Sequence, residues 1–484
     1  MKEREISSEV NLLKLSSLLT GIGVCPAQTD AKVVNITDDI KKVREGSLFV
    51  CVRGETINGH TLAGEAVKKG ALAVICEEQT DCENAYLVEN SRLAFSRLCA
   101  LFYGNPDRKI KLIGITGTNG KTTVACYIKY MLEALGHKCA VIGTLGADTG
   151  DSVSETGYTT PQPDVFFEAL SSAVAQGCEY CVCEISSQAL SQYRVDGAKF
   201  SLGIFTNIGT DHLDYHKTVS RLVAAKARLC SLSEEMLINA DDAYAEVFLE
   251  AAKGKRAYLY SCRCVLSDYT AKNIRHSESG SDFILFNGAS LSKVQLNAPG
   301  LYSVYNALSA AAACMVLGTD LEKISPLISS LPTVPGRAQM IDKNGVRVCV
   351  DFAHTPDALS AVLSALHISK KGKLITVFGC GGNRDKSKRP LMGVIAAQHS
   401  DEVIITSDNP RNEDPLEIIG EIRSGVKKKS GIFTEPDRAK AIRLALNKAL
   451  PGDTVLIAGK GHESYQIIGE EKKHFSDIEE VLSL

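Results

Sequence analysis

The chain has 484 residues, which at roughly 100–200 residues per domain corresponds to about three domains. Hydrophobic residues make up 44% and charged residues 23%, the balance of a folded globular chain rather than a disordered one. The formal net charge is −3, so no basic field is offered to nucleic acid or to an anionic membrane surface, and neither is expected as a partner. The opening residues Met1–Val10 are charged and lack an apolar stretch, so no secretory signal is expected and a cytoplasmic location is. Residues 1–108 form a first expected unit, with strand-like runs at Ser47–Val52 and Ala71–Ile75 and a Gly/Pro break at Tyr103–Asp107. A second unit, 109–335, opens with the apolar strand Leu112–Thr116. It continues through a glycine-rich loop and a helix from Thr122 to about Leu135, with further strands at Ala140–Ile142, Tyr180–Ile185 and Leu202–Thr206. Short apolar strands alternating with helices predict a parallel sheet with crossover helices.

The 16 cysteines are scattered, which reads as reduced thiols rather than a disulfide framework. Cys178, Cys181 and Cys183 lack two further ligands at zinc spacing. Pro332–Gly336 marks the second boundary, and the third unit, 336–484, follows. Its strands are expected at Val346–Phe352, Leu374–Phe378, Val403–Thr406, Gly431–Thr434 and Val455–Ala458. Helices are expected at Asp357–His367, Pro390–Gln398, Pro415–Val426 and Arg438–Ala449. The whole chain is therefore predicted α/β: three domains, a central P-loop-type parallel sheet that binds ATP, and a C-terminal Rossmann-like doubly wound domain.

Gly117-Thr118-Asn119-Gly120-Lys121-Thr122-Thr123 lies between a strand and a helix. Its glycines let the backbone N–H groups face phosphate oxygens, and the helix N-terminus adds a favourable dipole. Lys121 reaches toward β- and γ-phosphates, and Thr122 is placed for Mg²⁺. The first glycine of the usual longer spacing falls at Ile115, so this is a shortened form of the loop. Glu184 ends an apolar strand, where α/β proteins place ligands. Asp211, His212, Asp214 and His216 cluster after another strand, a pattern open to a metal role or a structural one. Lys226, by itself, reads as a solvated helix lysine.

Four polar loops follow four of the five strands of the third unit: Asp351–Asp357, Gly379–Asp385, Asp408–Glu413 and Gly459–Glu463. The carboxyl ends of a parallel sheet share one rim, so these loops should converge on one crevice. Arg384 and Arg411 suit carboxylates through paired charge-assisted bonds, and Glu463 suits an ammonium. A zwitterionic amino acid is the natural guest.

These motifs, with Tyr158-Thr159-Thr160-Pro161, Glu184–Gln188, Asn306 and Pro335-Gly336-Arg337, resemble the Mur ligase family over essentially the whole chain and in the same order. The resemblance implies an ATP-dependent ligase that joins a carboxylate to an amine through an acyl phosphate. The implied partners are ATP, UDP-MurNAc-L-Ala-D-Glu and meso-diaminopimelate, with Mg²⁺ as cofactor and a monomeric chain. It implies catalytic roles for Lys121, His212 and Lys226. ATP contacts are implied from Gly117, Thr118, Asn119, Gly120, Lys121, Thr122, Thr123, Asn306, Arg337, Asp351 and His354. Thr159, Thr160, Ser186, Gln192 and Arg194 are implied to hold the nucleotide-sugar peptide. Arg384, Asp408, Asn409, Pro410, Arg411, Gly459 and Glu463 are implied to hold diaminopimelate. Thr122, Glu184, His212 and Lys226, the last as a carbamate, are implied metal ligands. The Asp408-Asn409-Pro410-Arg411 signature favours diaminopimelate over L-lysine. An arginine buried without its partner carboxylate costs about 1.5–3 kcal/mol per lost charged bond. The chain departs from the family pattern at Asp39-Ile40-Lys41, where Asp-Ser-Arg is usual, at Tyr158 and at Ser303. The same reaction with L-lysine, a folylpolyglutamate-synthase-like ligase and a non-catalytic nucleotide binder are the alternatives.

Overall fold

The computed structural model describes residues 13–25, 31–54, 57–264, 266–427 and 430–484; the charged stretch Met1–Val10 lies outside them. Among the described residues three large sheets and one two-stranded hairpin organise the chain. The first has four parallel strands, Asn35–Thr37, Ser47–Val50, Ala71–Cys76 and Ala85–Leu87, in that order. The helix Ser91–Phe102 covers one face through Phe95, Leu98 and Phe102, all buried. Asp39 caps the short helical turn Ile40–Lys42, its Oδ1 accepting the Lys41 N–H at 2.9 Å.

The second sheet has eleven strands. Its centre is parallel as predicted: Phe200–Phe205, Lys111–Thr116, Tyr180–Glu184 and Cys139–Gly143 lie side by side. Both ends are antiparallel, unlike the expectation. Ser281–Phe286 and Leu291–Leu296 close one edge, and Gly146–Asp148 and Val153–Ser154 close the other. The central strands are buried on both faces, which is why they read as continuous apolar runs. The edge strands alternate polar and apolar residues over short stretches and give a weaker signal.

The third sheet has the order Gln339–Lys343, Val346–Asp351, Thr454–Ala458, Leu374–Phe378, Glu402–Ile405 and Ile432–Thr434. Five strands are parallel and match the predicted ones; Gln339–Lys343 is an unforeseen antiparallel edge. Two cores flank it. Pro356–Ser369, Lys388–His399 and Pro415–Ser424 pack on one face, and Arg438–Lys448 and Asp477–Ser483 on the other. This is the doubly wound arrangement, so every βα loop opens at one rim. All 16 cysteines are free thiols. Among the described residues no helix is long and apolar enough to cross a membrane.

Candidate active site

The strand Lys111–Thr116 delivers the phosphate loop at its carboxyl end, and the helix Lys121–Ala134 starts directly after it. Gly120 sits at φ +90°, and a Cβ there would lie 2.5 Å from Asn306 Oδ1, so the loop requires glycine on both counts. Neighbouring strands hold the loop rather than the loop holding itself. Thr206 Oγ1 and Asn207 Nδ2 donate to Asn119 O at 2.7 and 3.0 Å, and Asn119 N–H donates to Asn207 Oδ1 at 3.0 Å. Lys121 Nζ folds back onto the carbonyls of Gly117 and Thr118 at 2.8 and 3.0 Å. Burial lowers its basicity, with Arg337 adding to the effect and Glu184 and Asp211 opposing it. An anion in the loop relieves that penalty.

Glu184 lies at the floor of the same cleft, 1% exposed. Its Oε2 accepts from Thr122 Oγ1 at 2.8 Å and Thr144 Oγ1 at 3.0 Å, and its Oε1 from Thr144 N–H at 2.9 Å. Gly143 makes the room: a Cβ there would come within 2.2 Å of Glu184 Oε1. A buried carboxylate against the hydroxyl of a phosphate loop is a hard-oxygen pair that suits Mg²⁺, which takes few protein ligands and completes its shell with water and phosphate oxygens. Arg337 reaches across from the third unit, its Nη2 donating to Thr122 Oγ1 at 3.1 Å, and its buried Nε has no partner among the described residues.

The Asp211–His216 cluster divides. His216 is buried and bonds Ser187 Oγ at 2.9 Å, the structural role. Asp211 instead faces His212 at 3.4 Å and His354 at 3.7 Å. Burial opposes the charge on Asp211, but His354, His212 and Lys388 outweigh it and hold the carboxyl well below the usual range. His212 leaves 45% of its side chain exposed, yet it sits deep in the cleft. Burial, then Lys121, Lys226 and His354, lower its basicity to about 4 against the opposing Asp211. Among the described residues no three His, Cys, Asp or Glu side chains gather as a ready metal site. His212 is therefore turned to Asp211 rather than gathered with Glu184.

Lys226 corrects the reading of its own sequence. It lies on the helix Val219–Leu232 and is 2% exposed. Burial, reinforced by the charge of Lys121, drops its basicity far below that of a free lysine. Burial thus favours the uncharged, nucleophilic form of this side chain over the cation.

The residues expected to hold a nucleotide-sugar peptide form one network. Thr160 Oγ1 donates to Glu184 O at 2.8 Å and accepts the Ser186 N–H at 2.9 Å. Ser186 caps the helix Ser187–Ser191. Arg194 donates to Thr160 O at 2.7 Å and twice to Gln192 Oε1 at 3.0 and 2.7 Å. Thr159 is the member of this set that lines the main cleft, bonding Thr144 Oγ1 at 3.1 Å.

Two cavities meet here. The larger, about 640 Å³, runs from the phosphate loop past Asn306 and Arg337 to Asp351 and His354. Asp351 uses its carboxylate on the N–H groups of Ala338 and Ala353, at 2.6 and 2.8 Å, shaping the turn that carries Arg337. The smaller, about 190 Å³, is lined by Arg384, Asp408, Asn409, Arg411, Gly459 and Glu463. The four loops do converge as their place at one rim implied; Pro410 is the member of the implied set that stays off the lining. Asp211, His212, Phe352 and His354 line both cavities and form their common wall. Burial lowers the basicity of Arg411, and the like charge of Arg384 lowers it further. Two guanidinium groups facing one small cavity form a site for a carboxylate. Sequence reasoning missed Lys388, which lines the small cavity and donates to His354 O at 3.0 Å. It also missed Lys460, fully buried between Asn409 and Glu463. Lys460 lies within the loop Gly459–Glu463, so its proximity to the site was readable though its partners were not, whereas Lys388 starts the helix Lys388–His399 just beyond the loop Gly379–Asp385.

Three family models match. The "Mur ligase family, catalytic domain" covers residues 32–101, the "Mur ligase middle domain" 115–314, and the "Mur ligase, glutamate ligase domain" 336–461. A UDP-N-acetylmuramoyl-L-alanyl-D-glutamate–2,6-diaminopimelate ligase of Clostridium acetobutylicum is 42% identical over 458 residues, 93% of this chain and 94% of that protein. A solved structure of a ligase with the same printed activity aligns with TM-score 0.71 and 32% identity, covering 98% of both chains. A folylpolyglutamate synthase of Mycobacterium tuberculosis, complexed with ADP and AMPPCP, shares the fold over 76% of this chain at 18% identity and TM-score 0.63. With more than four fifths of the sequence matched by the family models and nearly all of it aligned to these ligases, the chain belongs to the Mur ligase family.

Proposed function

We propose that this chain adds meso-diaminopimelate to the D-Glu γ-carboxylate of UDP-MurNAc-L-Ala-D-Glu, using ATP, as a step of peptidoglycan synthesis. The observation that carries this reading is the pair of cavities with a common wall. One is built for nucleotide phosphates, and the other sets two arginines against Asp408 and Glu463. We assign residues 1–108 to the uridine end of the nucleotide-sugar peptide, 109–335 to ATP, and 336–484 to the amino acid, in a cytoplasmic monomer.

In this reading a carboxylate oxygen of the D-Glu residue attacks the γ-phosphorus of ATP, the bond to the β-bridging oxygen breaks, and ADP leaves. Lys121 leaves its loop carbonyls for the phosphates, and with the loop N–H groups and Arg337 it offsets the charge that spreads over the transferred group. The diaminopimelate amine nitrogen then attacks the acyl carbon. The carbon–oxygen bond to phosphate breaks, inorganic phosphate leaves with the electron pair, and the nitrogen gives up a proton. Asp211 and His354 in the common wall border both reacting groups and exclude water from the acyl phosphate. Thr122, Glu184 and His212 would hold Mg²⁺, which would supply neutralisation of the phosphate charge. Lys226, as a carbamate, would add a negative charge to that ligand set. Arg384 and Arg411 take a carboxylate of diaminopimelate and Glu463 an ammonium.

Phosphate release from ATP and Mg²⁺ with UDP-MurNAc-L-Ala-D-Glu tests the reading. Release with meso-diaminopimelate and not with L-lysine is expected. Release with L-lysine alone keeps the ligase and overturns the assignment of the arginine pair.

A further inference from the structure

Beyond the third sheet, Tyr465–Ile468 and Glu471–His474 pair as an antiparallel hairpin that no motif announced. The outer strand is exposed throughout. The inner strand is seated on the loops of the small cavity. Arg411 N–H donates to Ile467 O at 3.1 Å, and Gly469 N–H donates to Arg411 O at 2.7 Å, so the hairpin takes both backbone polar groups of Arg411. Ile467 N–H donates to Asn409 Oδ1 at 3.0 Å, and Gln466 Nε2 donates to Asp408 O at 2.6 Å.

The clasp matters because Arg411 lies at φ +51°. A left-handed conformation is unfavourable for an L-residue and persists only where its surroundings impose it. Here the two backbone bonds to the hairpin impose it. In that conformation the guanidinium Nη1 rests on Gly382 O at 2.9 Å, turned toward the cavity that Arg384 also lines. The opposite end of the cavity is set by the same frame. Asn409 Nδ2 and Lys460 Nζ each donate to Glu463 Oε2 at 2.9 Å, and Lys460 Nζ also donates to Asn409 Oδ1 at 3.1 Å. Glu463 Oε1 keeps only the distant Tyr465 hydroxyl, at 3.5 Å, and so remains the acceptor offered to the cavity. One strand thus sets the spacing between the cationic and anionic ends.

Resting on the reading that this cavity takes a diamino acid, we propose that the hairpin Tyr465–His474 is the positioning element of amino-acid selectivity. By holding Arg411 in its left-handed conformation, it lets the cavity distinguish an acceptor with a second carboxylate from one without. Selectivity is lost when the clasp is loosened even though Arg411 and Glu463 are intact.

The test uses the full-length chain and two variants. Gly469→Pro removes the N–H that Arg411 O accepts, at a φ of +61° that proline cannot adopt. Gln466→Leu removes the side-chain bonds to Asp408 O and Ser407 Oγ and keeps the backbone, so it folds if the first does not. The ratio of kcat/KM for meso-diaminopimelate over L-lysine is expected to fall about tenfold or more in Gly469→Pro and about threefold in Gln466→Leu. The change should arise through the diaminopimelate KM, with the ATP KM within about twofold of the unaltered chain. An unchanged ratio in both variants overturns the proposal. So does a parallel rise in every KM, ATP included, which is the mark of a merely structural hairpin. Turnover of the unaltered chain with neither amino acid overturns the functional reading and this proposal together, whereas selectivity that the variants retain overturns the proposal alone.

Discussion

The phosphate half and the amino-acid half of the cleft are built in different ways. The phosphate loop is local: seven consecutive residues between one strand and one helix carry the N–H groups, the lysine and the hydroxyl. The smaller cavity, proposed above for the amino acid, is assembled from four loops, separated by up to about a hundred residues, that meet because parallel strands end on one rim. The first half carries its chemistry in one stretch of chain, which Thr206 and Asn207 hold in place. The second depends on braces, and the braces are charged groups buried completely. Arg438 and Asp477 are both 0% exposed and joined at 2.7 and 2.8 Å, and Arg438 also donates to Ser407 O and Ala458 O at the ends of two strands. Arg389, also 0% exposed, ties Glu413 and Glu421 to the carbonyl of Gly381.

That contrast can be broken at either side. The largest effect is expected from Lys121→Ala, which removes a charge from the local half. Its kcat should fall by at least about a thousandfold with the melting temperature little changed, measured by phosphate release and calorimetry. Normal turnover would reject the phosphate-loop assignment. Next, Arg438→Met leaves Asp477 buried without its partner and should cost about 3–5 kcal/mol of stability in denaturant unfolding. The double variant with Asp477→Leu should recover much of it, and no recovery would mean that the pair is not the brace. A smaller effect, about 1.5–3 kcal/mol or some 10- to 150-fold in the diaminopimelate KM, is expected of Arg411→Ala with the ATP KM unaltered. Equal changes in both would dissolve the division into two halves.

The smallest effect sharpens the common boundary. His462 packs against Phe352, ring centres 5.2 Å apart, and its basicity is lowered to about 4 by burial and then by Arg337 and Lys460. Between pH 6.5 and 4 the unfolded chain binds a proton at this position that the folded chain does not, so stability rises with pH across that window. The contribution is complete above pH 6.5 and disappears as pH falls through 4. His462→Phe should therefore lose less melting temperature than the unaltered chain between pH 7 and 4.5. An identical loss would show that His462 does not titrate in this way.

Much of the cleft was legible before the structure because its chemistry sits in short motifs next to apolar strands. The loop Gly117–Thr123 came with its strand and helix. The four C-terminal loops were found from the strands that precede them, since a strand buried on both faces prints a run such as Leu374–Phe378. The edge strands Gln339–Lys343, Ser281–Phe286 and Leu291–Leu296 print no such run, because one side of each meets solvent. The hairpin Tyr465–His474 failed for the same reason, although it clasps Arg411.

The sequence by itself determined the phosphate loop, the five parallel strands of the last sheet and the kinds of charge at its rim, because these follow from periodicity and from residues a few positions apart. Only the tertiary structure decided what each charge faces. Lys226 became a buried side chain rather than a solvated one, His216 a structural partner of Ser187, and Asp211 part of the wall shared by two cavities. Burial and the field of distant groups set those roles, and neither is a property of the chain until strands far apart in sequence are brought together.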